Sequence, residues 1–173
     1  MKLALFVFLA VSLLSCSKNK PKIGELYKGG YVFKVNFWSG GLCAATQDFK
    51  TGVKWGCYNK LIKGADSKDV GDGEDNTNAI LGGCSEALTA ARVCNELISE
   101  ERDDWFLPSI GELELMYNEL HTKGIGDFVN KNYWSSTEDY SLGAWNFNFG
   151  NGKRENNKAK NDESCRVRAV RSF

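Results

Sequence analysis

Hydrophobic and polar positions divide the chain into stretches of different period. Leu3 to Leu14 is apolar but for Ser12 and follows Lys2. That is the layout of a secretory signal, and it is too short for a membrane span, which takes about 20 apolar residues. Ser17 to Lys22 is polar, charged and broken by Pro21, so it reads as a tether. Tyr31–Val35, Gly41–Ala45 and Val53–Cys57 read as three short strands. Asp66 to Asn78 is acidic, rich in glycine and poor in apolar residues, which predicts a loop. A helix is predicted from a Ser85 cap, with Ala87, Ala90, Ala91, Cys94, Leu97 and Ile98 on one face. A second helix is marked by Ser109-Ile110-Gly111-Glu112, in which serine and glutamate satisfy each other's orphan amides. Leu113, Met116, Tyr117 and Leu120 are its apolar face, and Pro108 holds Leu107 extended just before it. The last third reads as strands. From Ala144 to Phe149 aromatics and asparagines alternate, which points Trp145, Phe147 and Phe149 inward and Asn146 and Asn148 outward. Gly150-Asn151-Gly152 is a hairpin turn, and Cys165, Val167 and Ala169 share one face of a final strand.

Composition narrows the function classes. The chain carries 22 basic and 22 acidic residues, and loss of a segment holding only Lys2 leaves it slightly acidic. No positive field is present to attract nucleic acid. The expected organisation is a signal over 1–15, a modified cysteine and tether over 16–22, and one domain over 23–173. Apart from Cys16, the cysteines are Cys43, Cys57, Cys84, Cys94 and Cys165, so at most two disulfides form and one thiol is left. They lack C-x-x-C spacing and His121 is the only histidine, which argues against zinc. The acidic loop fails as a calcium loop: counting from Asp66 the third and fifth residues are Lys68 and Val70, and counting from Asp72 the sixth is Thr77. No metal and no cofactor is expected.

Leu13-Leu14-Ser15-Cys16 resembles the lipobox of bacterial lipoproteins. The resemblance implies cleavage before Cys16 and lipidation of that residue. The protein is then expected in the bacterial cell envelope, held at the outer membrane by acyl chains, on a face the sequence leaves open.

Seven further pieces occur in one order: Trp55-Gly56-Cys57; Asn76-Thr77 with Ile80; Ala90-Ala91-Arg92-Val93-Cys94; Asp104 to Ser109 with Glu112-Leu113; Tyr133-Trp134-Ser135-Ser136-Thr137-Glu138; Ala144-Trp145; and Val167 to Arg171. Together they resemble the C-terminal domain family of the collagen-like adhesin Lcl. The resemblance implies an α+β, C-type-lectin-like domain with two helices and a small curved, mostly antiparallel sheet, its ends paired through strands 31–35 and 166–171. Calcium-dependent lectins of that fold carry Glu-Pro-Asn and Trp-Asn-Asp pieces, which are missing here; Trp145-Asn146-Phe147 lacks the acid. The resemblance also implies a bridge from helix to last strand, Cys94 to Cys165. Cys57 and Cys84 flank the acidic loop and form the second pair, leaving Cys43 a buried thiol.

Ser135 and Ser136 raise a catalytic reading, but a serine nucleophile needs a base and no motif pairs either with His121. A structural role fits better, with Trp134 buried and the hydroxyls bonding backbone. The outward positions of the last third carry paratope-like chemistry: Tyr140, Asn146, Asn148, Arg154, Asn156, Asn157 and Lys158, with Asn151, Lys160 and Asn161 around them. Retroelement-diversified proteins place a similar asparagine-rich segment near the end of such a domain, and Tyr133 to Arg171 resembles it. The expected function is a non-enzymatic lipoprotein acting as a surface binding or adhesion module for a protein or glycan. A structural envelope lipoprotein without ligand is the alternative, and a hydrolytic enzyme the remotest one.

Overall fold

The computed structural model describes residues 20–49 and 52–173. Cys16 and the segments assigned to signal and most of the tether lie outside them. The described chain is a mixed α+β domain with two antiparallel sheets and three α-helices. The first sheet has the order β1-β2-β3-β7, from Leu26–Tyr27, Gly30–Val35, Gly41–Ala45 and Val170–Ser172. Phe106 exchanges both backbone bonds with Val170 and so extends this sheet beyond β7. The second sheet is a meander of β4 (Asn132–Tyr140), β5 (Gly143–Asn148) and β6 (Lys153–Ala159).

Strand 31–35 does not pair directly with the last strand. β3 lies between them, because Gly41–Ala45 is small and apolar and is buried along its whole length. That is the signature of a central strand covered on both faces. The segment 53–57 makes only one bridge, Lys54 to Thr89.

The helices differ from expectation in number and in their starts. α1 (Gly73–Gly83) occupies much of the predicted acidic loop. Its buried positions are Gly73, Asn76, Thr77 and Ile80, a helical spacing written mostly in polar or side-chain-free residues. α2 (Ala90–Asn95) is capped by Thr89, whose hydroxyl accepts from the Arg92 amide, and not by Ser85. Ala87 lies before it, and Ile98, beyond it, is 76 % exposed. α3 (Ile110–Glu119) carries the expected capping box in both directions. A single 3-10 turn, His121–Lys123, follows.

Two apolar cores result. One gathers Trp55, Ile62, Ile80, Ala90, Ala91, Cys94, Trp105, Trp134, Cys165, Val167 and Ala169. The other sits between the sheets around α3, with Phe33, Leu42, Leu113, Met116, Tyr133, Phe147 and Phe149. Tyr133 and Trp134 are neighbours on β4 and enter different cores, so β4 is buried on both faces.

Candidate functional site

The second sheet carries most of the sequence-predicted binding residues, and burial on both faces decides which of them reach solvent. Phe147 and Phe149 point toward α3 as expected. Trp145 is only half-buried beside them, with Lys68 Nζ 4.5 Å from its ring centroid and its indole N–H unpartnered. The opposite face is not open. Asn146 is 1 % exposed; its Oδ1 accepts from Asn132 Nδ2 at 2.8 Å and its amide donates to the Glu155 carbonyl at 3.2 Å. Glu155 also accepts from Asn132 at 2.8 Å and from the half-buried Asn148 at 3.1 Å. The outward assignment of Asn146 is therefore corrected. Its alternation is real, but its face continues into the Trp134 core and the Asn132–Glu155 lattice closes over it.

Lys160 is corrected in the same way. It is fully buried, donates to the Lys60 carbonyl at 2.7 Å, pairs with Glu138 and lies 4.5 Å over the Trp55 ring. Burial pulls its ammonium below the ordinary lysine range, and Glu138 opposes that shift.

The residues that do form an exposed surface cluster on β6. Strand β5 pairs Ala144 with Lys158 and Asn146 with Glu155, so Asn156 and Asn157 together oppose the single residue Trp145. This is a β-bulge, a local kink that re-aims side chains. Asn157 adopts φ +60°, a left-handed conformation asparagine tolerates well, and its amide donates to Asp139 at 3.3 Å. Asn156 and Asn157 are both exposed. Tyr140, 40 % exposed, lies against Gly143 beside Asn157; a Cβ at Gly143 would fall 2.6 Å from the tyrosine ring and 3.2 Å from the Asn157 Cα. Glycine at 143 is thus what lets Tyr140 and the bulge approach. Arg154 stands farther along the strand in an exposed ion pair with Glu114 of α3. Lys158 is half-buried and pairs with Asp162 at 3.1 Å. Asn151 and Asn161 are exposed at flanking turns.

The Trp134–Glu138 segment is a structural hub. β4 leaves the β5 register between Trp134 and Glu138, which frees three consecutive residues to reach other loops. Ser135 Oγ donates to the Trp145 carbonyl at 2.7 Å, and Ser136 Oγ accepts from Asn76 at 3.3 Å. Thr137 Oγ1 donates to the Ser67 carbonyl at 2.8 Å and accepts from the Ile110 amide at 3.1 Å. The Glu138 carboxylate accepts from the Ile62 amide at 2.9 Å. His121 stacks instead in an aromatic cluster, its ring centroid 5.3 Å from both Tyr117 and Phe149.

The cysteines follow the expectation in part. Cys57 and Cys84 form a disulfide with Cα atoms 5.7 Å apart. Cys94 and Cys165 are not bridged to each other; both are separate buried thiols, as is Cys43. Burial holds all three protonated, raising Cys43 to about 11, Cys165 to about 12 and Cys94 well above the ordinary thiol range. Among the described residues the one cluster with metal-ligand spacing is Cys57, Cys84 and Glu86, and its two sulfurs are spent on the disulfide. Among the same residues no helix is long and apolar enough to cross a membrane.

Sequence reasoning missed three ion pairings that tie distant segments together, two of them buried. Lys160–Glu138 is one. Asp48 is another: it accepts from Arg168 Nε at 2.6 Å and from the Tyr133 hydroxyl at 2.7 Å. Asp104 with Arg171 is the third, with two bonds of 2.6 Å that hold the carboxyl below the usual carboxylate range. The alternating Arg166-Val167-Arg168-Ala169-Val170-Arg171 pattern was the available signal, but alternation alone reads charged positions as solvent-facing. No curated protein matches this chain. The model of the Lcl C-terminal domain matches residues 44–171, which span both cores, the hub and the bulged strand and make up well over half of the chain. The chain therefore belongs to the Lcl C-terminal domain family.

Proposed function

We propose that this protein is a non-enzymatic, lipid-anchored envelope protein whose domain binds a ligand, a protein or a glycan, in an adhesion role. The observation that carries the ligand face is the Asn156–Asn157 bulge on an edge strand with exposed Tyr140 packed beside it. Amide side chains there present donors and acceptors, and tyrosine adds rigid amphipathic area at low entropic cost. Arg154, at the other end of the strand, has its charge paired with Glu114. Family membership supports adhesion, and the non-enzymatic reading is supported by Ser135 and Ser136 hydroxyls spent on internal bonds while His121 is packed among aromatic rings. A C-type-lectin-like scaffold is part of the same proposal, on the strength of the sequence resemblance. So is acylation of Cys16.

A printed glycan array and a panel of immobilised secreted proteins test the ligand face. The variant carrying Tyr140→Ala, Asn156→Ala and Asn157→Ala is expected to lose at least about tenfold in affinity for any ligand so captured, which corresponds to roughly 1.4 kcal/mol. Unchanged affinity in that folded variant rejects the face. Intact-mass analysis of membrane-extracted protein tests the anchor: a diacylated or triacylated residue is expected at Cys16, and a chain that begins elsewhere and carries no lipid rejects it.

A further inference from the structure

The most exposed large apolar side chains among the described residues sit side by side, away from the β6 face. Phe37 and Trp38 form the tip of the β2–β3 hairpin, are 83 % and 86 % exposed, and meet edge to face with ring centroids 4.9 Å apart. Two adjacent aromatics held in water at a hairpin tip, continuous with further apolar surface, have the character of an interaction site. The apolar surface continues below them. Trp38 shares a recess with Tyr27, Val35 and Phe173, and Tyr27 packs edge-on against Phe173 at 4.9 Å.

Charge and chain connectivity say what covers this surface. Lys20 Nζ donates to the Phe37 carbonyl at 2.5 Å, so the start of the described chain is tied to the tip itself. Lys34 lines the neighbouring recess beside Asn36, and Lys28 lies 5.1 Å over the Tyr27 ring. Lys22 belongs to the same end of the chain, and Glu25 lies among these cations with its carboxylate accepting from the Lys22 amide. Three residues separate Lys20 from Cys16, a span of at most about 14 Å even when fully extended. An acylated Cys16 would hold this tip within reach of the lipid headgroups.

We propose that the Phe37–Trp38 tip is a second membrane contact, inserting into the interfacial region of an anionic phospholipid bilayer while Lys20 and Lys34 face the headgroups. The geometry rests on the lipid-anchored reading above. Aromatic rings with a polar handle favour the headgroup level, and basic side chains near an anionic surface add attraction. The acyl chains fix how far the domain stands from the bilayer. The tip fixes which way it faces, and with it the direction in which the β6 edge is presented.

The test uses the mature full-length protein in vesicles of phosphatidylethanolamine and phosphatidylglycerol carrying a phospholipid brominated on its acyl chains near the headgroup. Acylation is read on the same sample by intact mass. Bromine is expected to quench emission by roughly a fifth, Trp38 being one of five tryptophans and the one placed at lipid depth. Trp38→Ser is expected to abolish the quenching without moving the melting temperature. Phe37→Ser, which keeps the reporter, is expected to weaken it about twofold. Quenching that survives Trp38→Ser, or an acylated chain that is not quenched, overturns the tip while leaving the anchor standing. An unacylated chain that is quenched supports the tip and overturns the anchor; one that is not quenched overturns both. A Trp38 emission shift that grows with protein concentration in the absence of lipid assigns the tip to a second copy of this chain and overturns the membrane contact.

Discussion

β3 and β5 are both central strands, and they solve the same burial problem in opposite ways. β3 is Gly-Leu-Cys-Ala-Ala, small and apolar on both faces, and needs nothing but packing. β5 is Gly-Ala-Trp-Asn-Phe-Asn, with aromatic rings toward α3 and asparagines toward a face that is also closed. The second solution works only because Asn132 and Glu155 from the flanking strands satisfy those amides. A buried polar group without a partner costs more than the net gain from one that has it. The two strands therefore differ in what a single substitution can undo. β3 tolerates change limited by volume, whereas the β5 sheet holds a lattice in which losing one member strands the others.

The largest expected break is at the charged end of that second sheet. Lys160→Ala leaves the Glu138 carboxylate buried with its cation gone, and is expected to cost about 3–5 kcal/mol by urea unfolding. Pairing it with Glu138→Leu should restore much of the loss. A double variant as unstable as Lys160→Ala alone would show that packing over Trp55, and not charge, is what the lysine supplies.

α3 joins the two sheets, and its cap brings in pH. Burial pushes the Glu112 carboxyl up to about 7, against the pull of the Ser109, Gly71 and Gly73 amides that it accepts. Between the ordinary value of 4.5 and about 7 the folded chain holds a proton the unfolded chain has lost. Stability is then greatest below the lower value and declines as pH rises through the window, by about 1–3 kcal/mol. Glu112→Gln should flatten that slope. Melting curves at pH 4.5, 6 and 7.5 decide it, and equal slopes in both proteins would reject the raised value.

The finest comparison is between two asparagines on adjacent strands. Asn146→Ala removes an acceptor from Asn132 and a donor from the Glu155 carbonyl, at an expected cost of about 1–2 kcal/mol. Asn156→Ala touches only the exposed bulge and should stay within about 0.5 kcal/mol. Equal costs would mean that the lattice over β5 contributes nothing.

The features legible along the chain are local or compositional. The Ser109–Glu112 box fixed the start of α3 because both of its bonds lie within one turn. The 150–152 turn, the burial of Trp134 and the Cys57–Cys84 bridge were legible, the last from its two cysteines flanking the acidic stretch. Of the predicted polar surface, Tyr140, Arg154, Asn156 and Asn157 are exposed, Asn148 and Lys158 are half-buried, and Asn146 is closed off. Only the tertiary structure decided the rest. α1 was hidden because its buried stripe is Gly73, Asn76, Thr77 and Ile80, and Asn76 and Thr77 enter the core by bonding Ser67, Leu107 and Ser136 from distant segments. Asn146 and Lys160 read as outward because period two separates two faces without saying whether either meets water. Cys94 and Cys165 share a core without sharing a bond, which spacing along the chain cannot decide. The polar residues share one cause: each is admitted to the interior by its partners, which lie on other elements of the fold.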